Sequence, residues 1–128
     1  MANTVAIQTI EDGPRNVVIK VYLASDGATG ELTDQVILDA SALNGIPDTL
    51  KVISIDSALT GFQARLNWDA TTDDPLWHLP LYAANFDFQK FGGIPNPKST
   101  GYTGDILLTT IGFSTLGDDG SFVIRCTK

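Results

Sequence analysis

The chain reads as an all-β protein, an antiparallel two-sheet sandwich of jelly-roll type. Three observations predict this. Short runs of alternating apolar and polar residues recur along the chain. Segments rich in Gly, Pro, Asn and Asp separate those runs at short intervals. Helical periodicity is almost missing. An immunoglobulin-like sandwich has a similar strand count and is the alternative connectivity, although the cysteine and tryptophan markers of antibody domains are absent.

Taken in order, residues 4–10 can form a short strand, and Asp12-Gly13-Pro14 supplies a turn after it. Fully extended, the first 16 residues span about 50 Å, long enough to serve as an N-terminal arm reaching a neighbouring subunit. RNVVIKVYL at 15–23 offers Val17, Ile19, Val21 and Leu23 to one face, the pattern of a central strand. SDGATGE then reverses the chain, and a strand follows at about 33–38. ASALNGIPD at 40–48 has room for one helical turn, because Gly45 and Pro47 prevent a longer helix.

Residues 50–57 and 61–68 alternate on either side of Leu59-Thr60-Gly61, which predicts an antiparallel hairpin. Its second arm, GFQARLNW, sets Phe62, Ala64, Leu66 and Trp68 on a core face and Gln63, Arg65 and Asn67 on the other. A polar loop, DATTDDP, leads to strands at 76–82 and 86–91, with Pro80 placing the former at an edge or a bend. GGIPNPKSTGYTG, 92–104, holds four glycines and two prolines and is the clearest long loop. Strands at 105–111 and 122–127 close the chain, with a short one at 113–116 and a hairpin turn at Gly117-Asp118-Asp119-Gly120.

At 128 residues and 13.7 kDa this is one domain, 1–128, with no internal repeat or linker. No apolar run approaches the ~20 residues of a membrane helix, so no membrane partner is expected. The first residues lack the basic start and apolar core of a signal peptide, which predicts synthesis and residence in a reducing cytoplasm. The single cysteine, Cys126, follows Phe122 and Ile124 on an inward strand face and reads as buried packing. A formal charge of −7, with the bases scattered along the chain, argues against nucleic-acid binding and for solubility.

Chemistry is sparse. His78 is the sole histidine, in LWHLPLY, so zinc or acid/base work would have no second imidazole. HExxH, paired CxxC and P-loop motifs are absent. Ser114 in GFSTLG lacks the spacing of a nucleophile elbow. Asp73-Asp74 and Asp118-Asp119 could in principle serve glycoside hydrolysis or bind calcium, but adjacent turn acids are expected to face water, and neither loop has EF-hand spacing. No catalytic residue, cofactor or metal is therefore assigned. Among the aromatics, most read as core, whereas Phe91 and Tyr102 flank the Gly/Pro loop and are better placed for a protein interface. A carbohydrate platform using Trp77 or Tyr102 is the competing use.

MANTVAIQTIEDGPRNVVIKV resembles the start of a group of short structural proteins from tailed bacteriophage virions, as do WDATT at 68–72, KFGG at 90–93 and TGDILLTT at 103–110, in the same order. The Gly/Pro loop departs from the family pattern. The resemblance implies a virion component on the capsid exterior: a cement or decoration protein that bridges subunits of the major capsid protein and associates with copies of itself as a dimer or trimer. A neck or tail component, and a virion carbohydrate-binding module, are the alternatives. A chain of this mass should expose about 6,600 Å², and a standard interface takes ~800 Å² per partner, so two or three contacts fit on one subunit. The expected contact residues are Phe91, Ile94, Pro95 and Tyr102 in the loop, with Pro14 and Arg15 in the turn after the arm.

Overall fold

A computed structural model describes residues 3–28, 30–43, 45 and 50–128. Among these described residues ten strands run in chain order: β1 (Thr4–Asp12), β2 (Asn16–Ala24), β3 (Gln35–Leu38), β4 (Lys51–Thr60), β5 (Gln63–Trp68), β6 (Asp74–Leu79), β7 (Tyr82–Asp87), β8 (Ile94–Pro95), β9 (Ile106–Ile111) and β10 (Asp119–Thr127). Two sheets form. The first has the order β1-β2-β10-β4-β7, with β8 also paired to β4, and the second has β3-β9-β5-β6.

All the pairs are antiparallel, and they nest: β5 with β6, β4 with β7, β3 with β9, β2 with β10. From β2 to β5 the chain changes sheet at every connection, as if one long hairpin had been rolled up. That is the connectivity of a jelly roll. It is not that of an immunoglobulin domain, whose sheets group their strands as ABED and CFG.

The alternation read from the sequence carries the core. Val17, Ile19, Val21 and Leu23 of β2, Ala64, Leu66 and Trp68 of β5, and Phe122, Ile124 and Cys126 of β10 are all buried. Register aligns them in rows: Thr9, Ile19, Ile124, Ile55 and Phe86 stand side by side across five strands. Phe62, just before β5, packs its ring against Phe113, with centroids 4.6 Å apart. Gly120 is required in its row, since a Cβ there would stand 2.6 Å from Leu59 Cδ2 and 2.8 Å from the Ala58 carbonyl oxygen.

Several sequence expectations need correction. β4 and β5 are not a hairpin: β4 pairs with β10 and β7, while β5 pairs with β9 and β6. Gly61, at φ +83°, turns the chain across the core from one sheet to the other, with Leu59 and Phe62 buried on either side. β9 and β10 likewise lie in different sheets, so residues 112–118 form a crossing and not a hairpin turn, and 113–116 forms no strand. The strand expected at 86–91 is displaced to β7, and Gln89–Phe91 is a 3-10 turn. The single helical turn expected within 40–48 is a 3-10 turn at Ala40–Ala42, capped by the Asp39 side chain accepting from Ser41 N–H; residues 44 and 46–48 of that segment lie outside the described residues.

Residues 4–12, which include most of the stretch read as an arm, lie along β2 as its antiparallel neighbour. Asn3 anchors the start of that strand, donating to the Gly30 carbonyl at 2.7 Å and accepting from Asp26 N–H at 3.0 Å.

Candidate functional site

Because successive strands reverse direction, the loops sort to two ends of the sandwich. One end collects the β1–β2 turn, residues 39–43 after β3, the β5–β6 loop and the long β7–β9 connection. All six residues expected to make contacts, Pro14, Arg15, Phe91, Ile94, Pro95 and Tyr102, are gathered there. Register sets Ile94 and Pro95 in line with the start of the strand that follows Pro14 and Arg15: Asn16, Thr127, Lys51 and Pro95 share one row, and Val17, Cys126, Val52 and Ile94 the next. The β1–β2 turn and β8 are therefore separated by β2, β10 and β4, roughly 14 Å at the usual strand spacing.

Local forces shape each part of this end. Pro14 and Arg15 are exposed in a tight turn closed by Gly13 N–H donating to the Asn16 carbonyl at 3.0 Å. Lys128 N–H donates to the Arg15 carbonyl at 2.7 Å, and its ammonium pairs with Asp12 at 2.5 Å. Phe91 projects from the 3-10 turn, 67% exposed, with its ring centroid 6.1 Å from that of Phe88. Ile94 is half-buried against the core, while Pro95 is exposed. Gly93, at φ +98°, lets this segment lie against β4, because a Cβ would meet Ile53 Cδ1 at 2.7 Å.

The Gly/Pro loop is stitched to the WDATT loop. Thr71 N–H donates to the Thr100 carbonyl at 3.0 Å, Thr103 N–H to the Asp69 carbonyl at 3.2 Å, and Asp69 N–H to the Asp105 carbonyl at 3.0 Å. Side chains add Thr103 Oγ1 to Asp69 at 2.8 Å and Ser99 Oγ to Asp74 at 3.0 Å. Gly101, at φ +81°, sits where any side chain would strike Thr71 Oγ1. Tyr102, half-buried, closes a turn by donating its N–H to the Ser99 carbonyl at 3.0 Å. Asp105 accepts from Ala40 N–H at 2.8 Å and so ties the 3-10 turn after β3 to the same cluster. Burial raises the Asp105 carboxyl above the ordinary carboxylate range; the charges of Asp39 and Asp69 push the same way, against the hydrogen bonds from Ala40 and Thr103.

Charge separates the two ends. Five of the eight bases, Arg15, Lys51, Lys90, Lys98 and Lys128, stand at the end just described, interspersed with Asp39, Asp69, Asp73, Asp74 and Asp105. At the opposite end the described connecting residues include Asp26, Glu31, Asp34 and Asp118 and no lysine or arginine. Sequence reasoning read the bases as scattered because they come from four separate segments that only the rolled topology brings together.

The chemical candidates are placed as follows. His78 is exposed on β6, its Nε2 2.8 Å from Gln63 Oε1. Ser114 is exposed. Asp73 accepts from Ala70 N–H at 3.2 Å and Asp118 from Thr115 N–H at 3.1 Å. Asp74 departs from the expectation of a solvated turn acid, since its Oδ2 is buried without a hydrogen-bond partner. Among the described residues no group of three or more His, Cys, Asp and Glu side chains is placed to hold a metal ion. Burial pushes the Cys126 thiol up to about 12. A separate shallow groove of about 440 Å³ runs beside the β6 bulge, lined by Arg65, Asn67, Trp77 and His78 together with Leu66, Pro75 and Leu76.

Fold and site together define a jelly-roll sandwich with a loop-rich, mixed-charge end. No protein-family model matches the chain, and no curated protein and no solved structure is significantly similar to it.

Proposed function

We propose that the protein is a structural component of a tailed-bacteriophage virion, a cement or decoration protein on the capsid exterior that bridges subunits of the major capsid protein. The observation that carries this reading beyond the sequence resemblance is the collection of Pro14, Arg15, Phe91, Ile94, Pro95 and Tyr102 at one end of a sandwich whose loops there are stitched together. A surface braced in this way loses little conformational entropy on docking. Many identical weak contacts across a shell then gain from effective concentration. The function is mechanical: the sandwich acts as a strut between shell subunits and resists their separation under genome pressure.

Particles with and without the protein should differ in resistance to heat and osmotic shock, and cryo-electron microscopy should place it on the capsid exterior with the Phe91 end against the shell. Equal resistance, or density confined to the neck or tail, would overturn the cement reading.

A second reading, a carbohydrate-binding module on the virion, is favoured by the groove that sets Trp77 beside Arg65, Asn67 and His78. Glycan-array binding lost in Trp77→Ala and kept in Phe91→Ala would select it over the first.

A further inference from the structure

The two open sides of the sandwich are finished differently. Between β6 and β7, Trp77 fills the gap against Phe86 and Phe88. Between β1 and β3 a groove of about 220 Å³ remains, lined in part by Ile7, Thr9, Val36, Ile37 and Leu43. Its wall, β1, is the longest sheet-end strand at nine residues, against four in β3 and six each in β6 and β7. Ile7 and Ile10 on it are 44% and 54% exposed. Natural edge strands are commonly blunted by lysine, proline or inward-pointing charge. From Thr4 to Ile10 β1 has none of these.

Ladder alternation says which backbone groups of β1 face outward. Asn16 accepts from Gly13 on the β1 side, and Ser25 donates to the Asp118 carbonyl on the β10 side. Even-numbered residues of β2 therefore bond toward β1. Their partners Thr4, Ala6 and Gln8 use their N–H and C=O groups inside the sheet, so those of Val5, Ile7 and Thr9 point away from it. The side chains of these three face the groove side.

We propose that β1 is a self-pairing edge: two copies of the chain join antiparallel across a two-fold axis at Ile7, fusing their first sheets into one continuous sheet. Ile7 then pairs with Ile7 of the second copy and Val5 with its Thr9, for six backbone hydrogen bonds between β-favouring residues. The outward groups of Val5, Ile7 and Thr9 are their own antiparallel complement about Ile7, and charge selects that direction. The acids of β1, Glu11 and Asp12, lie at its C-terminal end. Antiparallel pairing sends the two acidic ends to opposite ends of the seam, whereas parallel pairing would bring them together. The bulge between Thr9 and Glu11 ends the available edge just beyond the paired stretch. The inference rests on the edge alone and can hold or fail independently of any binding to a capsid.

Sedimentation equilibrium of the purified chain tests it, and should show a concentration-dependent monomer–dimer equilibrium. Ile7→Pro removes only an outward N–H and no bond to β2, so it should give a folded monomer. Because that variant also loses the isoleucine side chain, register is read separately by cross-linking. In hydrogen-bonded antiparallel pairs the Cα atoms are ~5.5 Å apart, within disulfide reach. Under mild oxidation Ile7→Cys should therefore form a covalent dimer, and Gln8→Cys, on the opposite face, should not. A monomer at every concentration, a trimer, a dimer that survives Ile7→Pro, or equal cross-linking of both cysteine variants would each overturn the proposal.

Discussion

Trp77 of β6 sets its ring edge-on to Phe88, with centroids 4.7 Å apart at 66°, and so joins the second sheet to the first along the side away from β1. The tryptophan remains 36% exposed, so it behaves as a lid on the core more than as part of it. Trp77→Ala should lower unfolding stability by about 1–3 kcal/mol, less than the ~3–5 kcal/mol expected for the fully buried Trp68→Ala. Urea denaturation of both variants checks the order.

Gly101 holds a left-handed conformation against Thr71, where the Gly/Pro loop meets the 68–72 loop. Gly101→Val combines backbone strain with a collision and should destabilise by about 1–3 kcal/mol. Hydrogen exchange should quicken at the amides of Thr71 and Thr103 while β2 and β10 keep their protection.

Asp105 tests the electrostatics of that end. Its carboxyl is raised, first by burial and then by Asp39 and Asp69, so the folded state holds this proton more tightly than the unfolded chain does. Its contribution to stability is therefore full at acid pH and is lost as pH rises through the folded pKa. Asp105→Asn keeps an acceptor for Ala40 N–H and removes the charge. The variant should be more stable than the parent at neutral pH, with the difference shrinking as pH falls into the carboxylate range; a difference that grows toward acid would contradict this account.

Cys126 lies in the core row between Val17 and Val52, its thiol pushed up to about 12 by burial. A thiol reagent at neutral pH should leave the native protein unmodified and label it stoichiometrically in denaturant. Labelling at the same rate in both states would show that the C-terminal end of β10 opens freely.

Strand faces were readable because burial imposes a period of two, as in Val17 to Leu23 and Phe62 to Trp68. Pairing was not, because a turn such as Leu59-Thr60-Gly61 serves equally well to double a strand back and to carry it across a core. Alternation continues through both, and only the partners β10 and β9, far away in sequence, decide between them. The displaced β7 has a similar cause: Phe86, Phe88 and Phe91 are apolar enough for a strand, yet Phe88 is drawn under Trp77 and the chain tightens into a 3-10 turn. The loop-rich end was legible as composition, through the Gly/Pro loop. Its inclusion of Arg15 and Lys51, and the burial of Asp74 Oδ2, arise from long-range packing that no local window contains.

The position of β10 sets the order in which the molecule can be made. It is the final strand along the chain, yet it occupies the middle of the first sheet, bonded to β2 on one side and β4 on the other. During synthesis those two strands must wait, their inward edges unsatisfied, until the last segment is available to slot between them. Folding is thus forced to follow translation of the whole domain, and distant pairings of this kind are slow to form. A chain stalled before residue 119 would present two incomplete half-sheets with exposed edges, the form in which a β protein is most prone to aggregate and most in need of a chaperone.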